Sequence, residues 1–253
     1  MNKLVSTFRA LYRLFGFTGY TILWIIGFYI VKHEAKESLP AGILWRRKWH
    51  KMMLPFVGIR IKLYGLENLT RKPVIYVGNH RSYIDPVIAS RYAESVVISK
   101  SEVAGWPLIG KGITITGVVF VKRDDKQSRS NTLLAMESLL KGGVSILVFP
   151  EGTTTRAPGF LPFRPRTFQL AAELGIPVIP LAIEYEDPED AWIGDDTFLR
   201  HFFQTFGKRR INIHLSIGPA MMHSDGELLM NMVHDWIEKE LHTLNKWVQK
   251  NDK

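Results

Sequence analysis

From Leu14 to Val31 the chain reads LFGFTGYTILWIIGFYIV, 18 residues without a single charge. No other stretch constrains the fold as much. Arg9 and Arg13 precede the run and Lys32 follows it. As a helix it would be ~27 Å long, close to the ~30 Å hydrocarbon core of a bilayer. A cleaved signal peptide fits poorly, because the apolar run is too long and no small-residue cleavage site follows it. A helix buried in a protein core is the alternative.

Gly42 to Phe56 reads GILWRRKWHKMMLPF. Trp45, Trp49, Met52, Met53 and Phe56 recur at helical spacing, and Arg46, Arg47, Lys48, His50 and Lys51 fill much of the rest. Such a basic segment with Trp on its apolar side suits the headgroup boundary of an anionic bilayer. A surface helix packed on the domain is the other reading. Pro40 and Gly42 break the chain between the two segments. Residues 1–58 are therefore expected to form a membrane-associated helical hairpin. Basic residues flank both ends of the apolar run, so the positive-inside rule leaves its orientation open. The net charge of +9 fits an anionic membrane, an acidic partner or nucleic acid. Clustering of Trp near the apolar N-terminus favours the membrane and argues against nucleic acid.

From about residue 59 short β-branched runs take over: Ile59–Tyr64, Val74–Val77, Val96–Ser99, Gly117–Val121, Val144–Phe149, Val178–Ile183 and Ile211–Ile217. Helical patterns lie between several of them, at Ser130–Lys141 and at Thr167–Leu174, the latter stopped by Gly175. Ser224-Asp-Gly-Glu227 reads as a capping box opening a C-terminal helix. Strands alternating with helices predict an α/β domain over 59–253, with a mixed, partly parallel sheet flanked by helices.

In open α/β sheets ligands bind beyond the carboxyl ends of the strands. Two predicted strands end in unusual polar sequence there. One runs into Gly78-Asn79-His80-Arg81-Ser82-Tyr83-Ile84-Asp85-Pro86, the other into Pro150-Glu151-Gly152-Thr153-Thr154-Thr155-Arg156. On one straight helix His80 and Asp85 would point ~140° apart. They can meet only if His80 lies in a turn ahead of a helix, with Asp85 as N-cap and Pro86 at the first helical position. A neutral imidazole can then take a proton from an alcohol, and a carboxylate on its other nitrogen fixes the tautomer. The pair alone is weak evidence, since roughly a third of such chains would hold one by chance. Ser82 lacks the strand–nucleophile–helix elbow of an acylated serine. The chain has no cysteine, which excludes a thiolate nucleophile and Cys-ligated metal sites.

Two further groups are candidates for binding. In the strand Gly117-x2-Phe120-x-Lys122-Arg123, alternation puts Phe120 with Lys122 and Gly117 with Arg123. Arg123 could hold a phosphate bidentately, or belong to a solvated charge cluster. Glu151 could hold a polyol hydroxyl, while Gly152 lets a ligand approach the backbone, or the segment is a tight turn stabilised by threonines.

Taken together, these residues resemble the glycerolipid acyltransferases typified by 1-acylglycerol-3-phosphate acyltransferase. Four blocks occur in order: Asn79-His80-x4-Asp85, Gly117-x2-Phe120-x2-Arg123, Phe149-Pro-Glu151-Gly152-Thr153 and Ile176-Pro177-Val178-Ile179-Pro180. Lys100, Pro107 and Gly110 also sit where such proteins tend to have them. The resemblance spans about residues 60 to 185. It implies that His80 deprotonates an acceptor hydroxyl and that Asp85 orients His80. It implies an acceptor site drawn from Asn79, Arg81, Gly117, Phe120, Lys122, Arg123, Glu151, Gly152, Thr153 and Arg156. The acyl donor is expected to be acyl-CoA or acyl carrier protein, with no metal, no cofactor and no covalent acyl-enzyme. The expected acceptor is the 2-hydroxyl of 1-acylglycerol-3-phosphate, at the cytoplasmic face of the inner or cytoplasmic membrane.

The chain departs from the pattern after Glu151-Gly152-Thr153. Many such enzymes continue with Arg then Ser; here Thr154 and Thr155 follow, and the arginine comes at Arg156. Near Phe163, Arg164-Pro165-Arg166 stands where a Lys and a Gly are expected. A lysophospholipid or lyso-aminolipid with another headgroup is therefore the alternative acceptor. A basic membrane-peripheral protein without catalysis and a hydrolase are the readings from other classes.

Overall fold

The computed structural model describes residues 3–32, 39–70, 73–106, 110, 112, 114, 117–122, 125–194 and 196–251, with backbone alone at 32, 40 and 247–251. Arg123 and Pro107 lie outside the described residues.

Seven strands form one sheet: β1 (Ile59–Tyr64), β2 (Ile75–Gly78), β3 (Val96–Lys100), β4 (Val118–Val121), β5 (Ile146–Val148), β6 (Val178–Tyr185) and β7 (Ile211–Ile217). Their order is β1-β7-β6-β2-β5-β3-β4. Every neighbouring pair is parallel except β6 and β7, so the sheet is mixed and mostly parallel, as the sequence predicts. Strands covered on both faces need apolar residues at successive positions rather than alternating ones. β2 and β6 meet this condition, each buried along its whole length.

Helices cover both faces. Tyr76 of β2 and Ile179, Leu181 and Ile183 of β6 pack with Met53, Leu54, Ile84, Ile88, Phe202 and Phe206. Those partners belong to α2 (Leu39–Phe56), α3 (Asp85–Tyr92) with the turn before it, and α6 (Phe198–Phe206). On the other face Ile75, Val77, Ile146 and Val148 pack with Met136, Phe168, Val233 and Ile237. These come from α4 (Lys126–Lys141), α5 (Arg166–Leu174) and α7 (Gly226–Asn251). The start of α7 differs from expectation. Asp225, not Ser224, caps it, its Oδ1 accepting from Glu227 N at 2.7 Å and Leu228 N at 3.1 Å.

The uncharged run is the second half of α1 (Lys3–Lys32), which by length and composition alone could cross a membrane. Only 6% of its most apolar window is buried in protein. Phe8, Phe15, Leu23, Ile26 and Ile30 are exposed. The helix is nevertheless tied to the body. Arg13 donates to the carbonyls of Phe206, Lys208 and Arg209, and Arg9 donates to Gly207 O. α1 and α2 pack side by side through Phe17–Trp49, Trp24–Trp45 and Tyr12–Phe56. The contacts pair early residues of α1 with late residues of α2, so the two helices run antiparallel as a hairpin.

Candidate active site

β2, β5, β3 and β4 are adjacent and parallel, so the turns that follow them emerge on one edge of the sheet. β2 delivers His80 and its neighbour β5 delivers Glu151. Phe120 and Lys122, on β4 and just past it, lie three strand spacings from β2, ~14 Å laterally.

The turn between β2 and α3 brings His80 and Asp85 together. His80 Nδ1 lies 2.8 Å from Asp85 Oδ2. The same oxygen accepts Arg81 N at 2.6 Å and Ser82 N at 2.7 Å, and Oδ1 accepts the Tyr185 hydroxyl at 2.7 Å. Asp85 is fully buried. A buried carboxylate is tolerable only when donors surround it, and here four do. Asp85 differs from the expected N-cap. It is the first residue of α3, and its side chain turns back to the loop instead of capping the helix. The reason is competition: the loop's N–H groups at 81 and 82 reach the carboxylate, while Pro86 brings no N–H of its own.

Asp85 Oδ2 already accepts two backbone N–H groups, so the contact with His80 is satisfied by the tautomer that carries its proton on Nδ1 and leaves a lone pair on Nε2. The imidazole is 15% exposed. One face stacks on the Phe149 ring at 4.5 Å and 25°. Burial and the neighbouring Asp85 push the Tyr185 hydroxyl well above its ordinary pKa, so it stays a donor. Sequence reasoning missed Tyr185, which lies a hundred positions from Asp85 and past the predicted end of its strand. The stacking role of Phe149 was missed too, although the residue stands in a recognised block.

Glu151 locks the second turn onto the first. Its Oε1 accepts His80 N at 2.6 Å, and Oε2 accepts Leu161 N at 2.7 Å and the Thr155 hydroxyl at 3.0 Å. Burial raises its pKa, against the lowering effect of these donors. Thr155 N also donates to His80 O at 2.8 Å. The carboxylate expected to bind a polyol thus accepts from two backbone N–H groups and one threonine hydroxyl of the protein itself.

Two other residues implied for the acceptor site are held inside the protein. Asn79 is buried, and its amide pairs with both backbone groups of Ile183 at 2.8 and 2.9 Å. Arg81 is also buried, forming an ion pair with Glu184 at 2.9 Å and donating to Gly159 O and Thr155. Both residues tie the scaffold together: the Asn79 amide and the two terminal nitrogens of Arg81 already have protein partners. Ser82 is buried as well, out of reach of a substrate.

The remaining candidates vary. Thr153 is exposed at the edge. Gly152 has φ +80°, and a Cβ there would sit 2.8 Å from the Arg164 guanidinium, so the glycine makes room for that arginine. Arg156 is exposed and paired with Glu189 at 2.7 Å. Gly117 has φ +75°, and a Cβ would run into Leu39, so it serves packing against α2. Phe120 is half-buried in β4; Lys122 is exposed, with its N–H donated to Ser128.

A family model described as Acyltransferase matches residues 60–184. The lyso-ornithine lipid O-acyltransferase of Pseudomonas aeruginosa is 34% identical over 176 residues, which cover 68% of this chain and 67% of that protein. The 1-acyl-sn-glycerol-3-phosphate acyltransferase of Saccharomyces cerevisiae is 32% identical over 153 residues, 58% of this chain and 50% of that protein. Among solved structures, the 1-acyl-sn-glycerophosphate acyltransferase PlsC of Thermotoga maritima shares the fold, with a TM-score of 0.73 and 22% identity over 96% of this chain and 98% of that one. With the sheet, the four sequence blocks and these similarities in agreement, the chain belongs to the glycerolipid acyltransferase family and is an O-acyltransferase.

Proposed function

We propose that this protein moves a fatty acyl group from an acyl thioester, acyl-CoA or acyl carrier protein, to a hydroxyl of a lysolipid. The observation that carries the reading is the 2.8 Å contact between His80 Nδ1 and the buried Asp85 carboxylate. His80 Nε2 takes the proton of the acceptor hydroxyl as its oxygen attacks the thioester carbonyl carbon. The carbon–sulfur bond breaks, the imidazolium returns the proton to the leaving thiolate, and an ester and a free thiol remain. Asp85 holds the reactive tautomer and stabilises the imidazolium; the Tyr185 hydroxyl and the two turn N–H groups hold Asp85. No metal or cofactor enters this chemistry, and nucleic acid is no partner in it.

For the acceptor, the reading favoured here is a lyso-aminolipid of the lyso-ornithine kind. At the position where lysophosphatidate enzymes often carry arginine, the Thr154 hydroxyl is bonded to Trp192 O. Arg156 is engaged with Glu189. The Pseudomonas relative, whose name states that acceptor, aligns over more of this chain than the yeast one does. The 2-hydroxyl of 1-acylglycerol-3-phosphate is the second reading, favoured by the Arg164 guanidinium beside Gly152.

The membrane reading rests on the exposed apolar side of α1. Because Arg9 and Arg13 fasten that helix to the body, the hairpin lies shallowly in one leaflet rather than crossing, on the cytoplasmic face of the inner or cytoplasmic membrane. Membranes holding the protein, supplied with labelled acyl-CoA or acyl carrier protein and a panel of lysolipids, test the assignment. Label is expected in the diacyl product of lyso-ornithine lipid. Transfer only to 1-acylglycerol-3-phosphate would replace the first acceptor by the second. Transfer to no lysolipid would overturn the function.

A further inference from the structure

Among the described residues, eight buried side-chain nitrogen and oxygen atoms have no hydrogen-bond partner, and six of them belong to α1 and α2. They are Nε and one terminal nitrogen of Arg46, Nδ1 of His50, the indole nitrogens of Trp24 and Trp49, and the Thr21 hydroxyl. Buried polar groups ordinarily find partners, so six orphans in one helical hairpin demand an explanation. Five of the six atoms carry, or can carry, a proton to donate, and Nδ1 of His50 donates in one tautomer or when protonated.

The charge is as lopsided as the hydrogen bonding. Arg46 is 5% exposed and His50 is 3% exposed, one helical turn apart on α2. Among the described residues, the side-chain bond of Arg46 runs from its other terminal nitrogen to Ser95 O, just past α3. The charged groups felt by His50 are Arg46, Arg47 and Arg91, all basic. Arg46 feels Arg47. Among the described residues, the carboxylate that meets this basic group is Glu94, which is exposed and pairs with Arg47 at the rim. Burial first, then the adjacent arginines, lowers Arg46 to about 10 and drives His50 far below its usual value. A buried guanidinium with no counter-charge is an unfavourable arrangement unless an anion joins it.

We infer that the seam between α1, α2 and α3 is a binding site for the phosphate of a membrane phospholipid, with Arg46 as its main ligand and His50 as the second. An anionic oxygen there would accept from Nε and the free terminal nitrogen of Arg46 in the forked geometry that guanidinium and phosphate share. The lipid source follows from location: α1 presents an apolar exposed side along the same hairpin, where acyl chains would lie. The site is separate from the candidate active site. Ser95 lies beyond the end of α3 opposite to Asp85, ~12 Å along the helix.

The test uses the full chain in maltoside micelles, which carry no phosphate. Thermal unfolding is followed while phosphatidylglycerol, diacylglycerol or inorganic phosphate is added. The midpoint of the wild type is expected to rise with phosphatidylglycerol and stay put with the other two. Arg46→Met is expected to remain folded and to require at least tenfold more phosphatidylglycerol for the same rise. Lys48→Met and Lys51→Met, on the same helix, test general charge attraction and should shift the requirement about twofold each. If Arg46→Met does not fold, the indole 15N resonances of Trp24 and Trp49 in the wild type give the reading, since both should move on adding phosphatidylglycerol. An equal response to diacylglycerol, a response to inorganic phosphate matching that to the lipid, or indole resonances that do not move would overturn the proposal.

Discussion

Of the three arginines buried among the described residues, Arg81 and Arg46 could hardly be treated more differently. Arg81, in the turn beside His80, faces the Glu184 carboxylate and also donates to Gly159 and Thr155, leaving only Nε without a partner. Arg46, in the hairpin, has one carbonyl and the like charge of Arg47 beside it. The first is complete within the chain: its partners tie the turn after β2 to the end of β6 and to the segment after β5. The second is complete only with something from outside. A buried charge can thus mark scaffold or ligand site, and the partners tell the two apart.

The comparison breaks most sharply on removal of each charge. Arg81→Met strands the Glu184 carboxylate and should cost ~3–5 kcal/mol of stability, read by urea unfolding. Arg46→Met in phosphate-free micelles strands no charge and takes one donor from Ser95 O, so it should cost ~1 kcal/mol or less. Equal losses in the two variants would show that Arg46 has internal partners and belongs with the scaffold.

A smaller effect sharpens the first half of the contrast. Tyr185→Phe removes one of four donors to Asp85 while keeping the ring in place. A loss of ~1–3 kcal/mol is expected for the unsatisfied oxygen, together with a fall in turnover and little change in KM. Unchanged turnover would reduce Tyr185 to a packing residue.

The sequence announced much of this and concealed the rest for identifiable reasons. All seven strands are legible as β-branched runs, because strands buried on both faces carry continuous apolar sequence. Their spatial order is not legible, since pairs such as β1 with β7 join segments about 150 residues apart. His80, Asp85 and Glu151 are visible because polar residues right after buried strands stand out. The resemblance implies Asn79 and Arg81 for the acceptor site, whereas the structure holds both side chains inside the protein. Composition records that a residue is polar but not where its partners come from, and theirs are Ile183 and Glu184, a hundred positions on. Asp225 displaced Ser224 as a helix cap because both residue types cap well and only local geometry chooses. The basic hairpin was legible as such, yet its surface lysines and its buried Arg46 look alike in sequence.

The central claim is that His80 acts as the base for acyl transfer and that Asp85 sets it up for that task. Initial rates with saturating lysolipid and labelled acyl thioester, comparing wild type, His80→Ala and Asp85→Asn as folded, membrane-bound proteins, test it most directly. Both variants should fall by roughly 10²–10⁴-fold in kcat with the lipid still bound. Turnover in His80→Ala within a few-fold of the wild type would contradict the account.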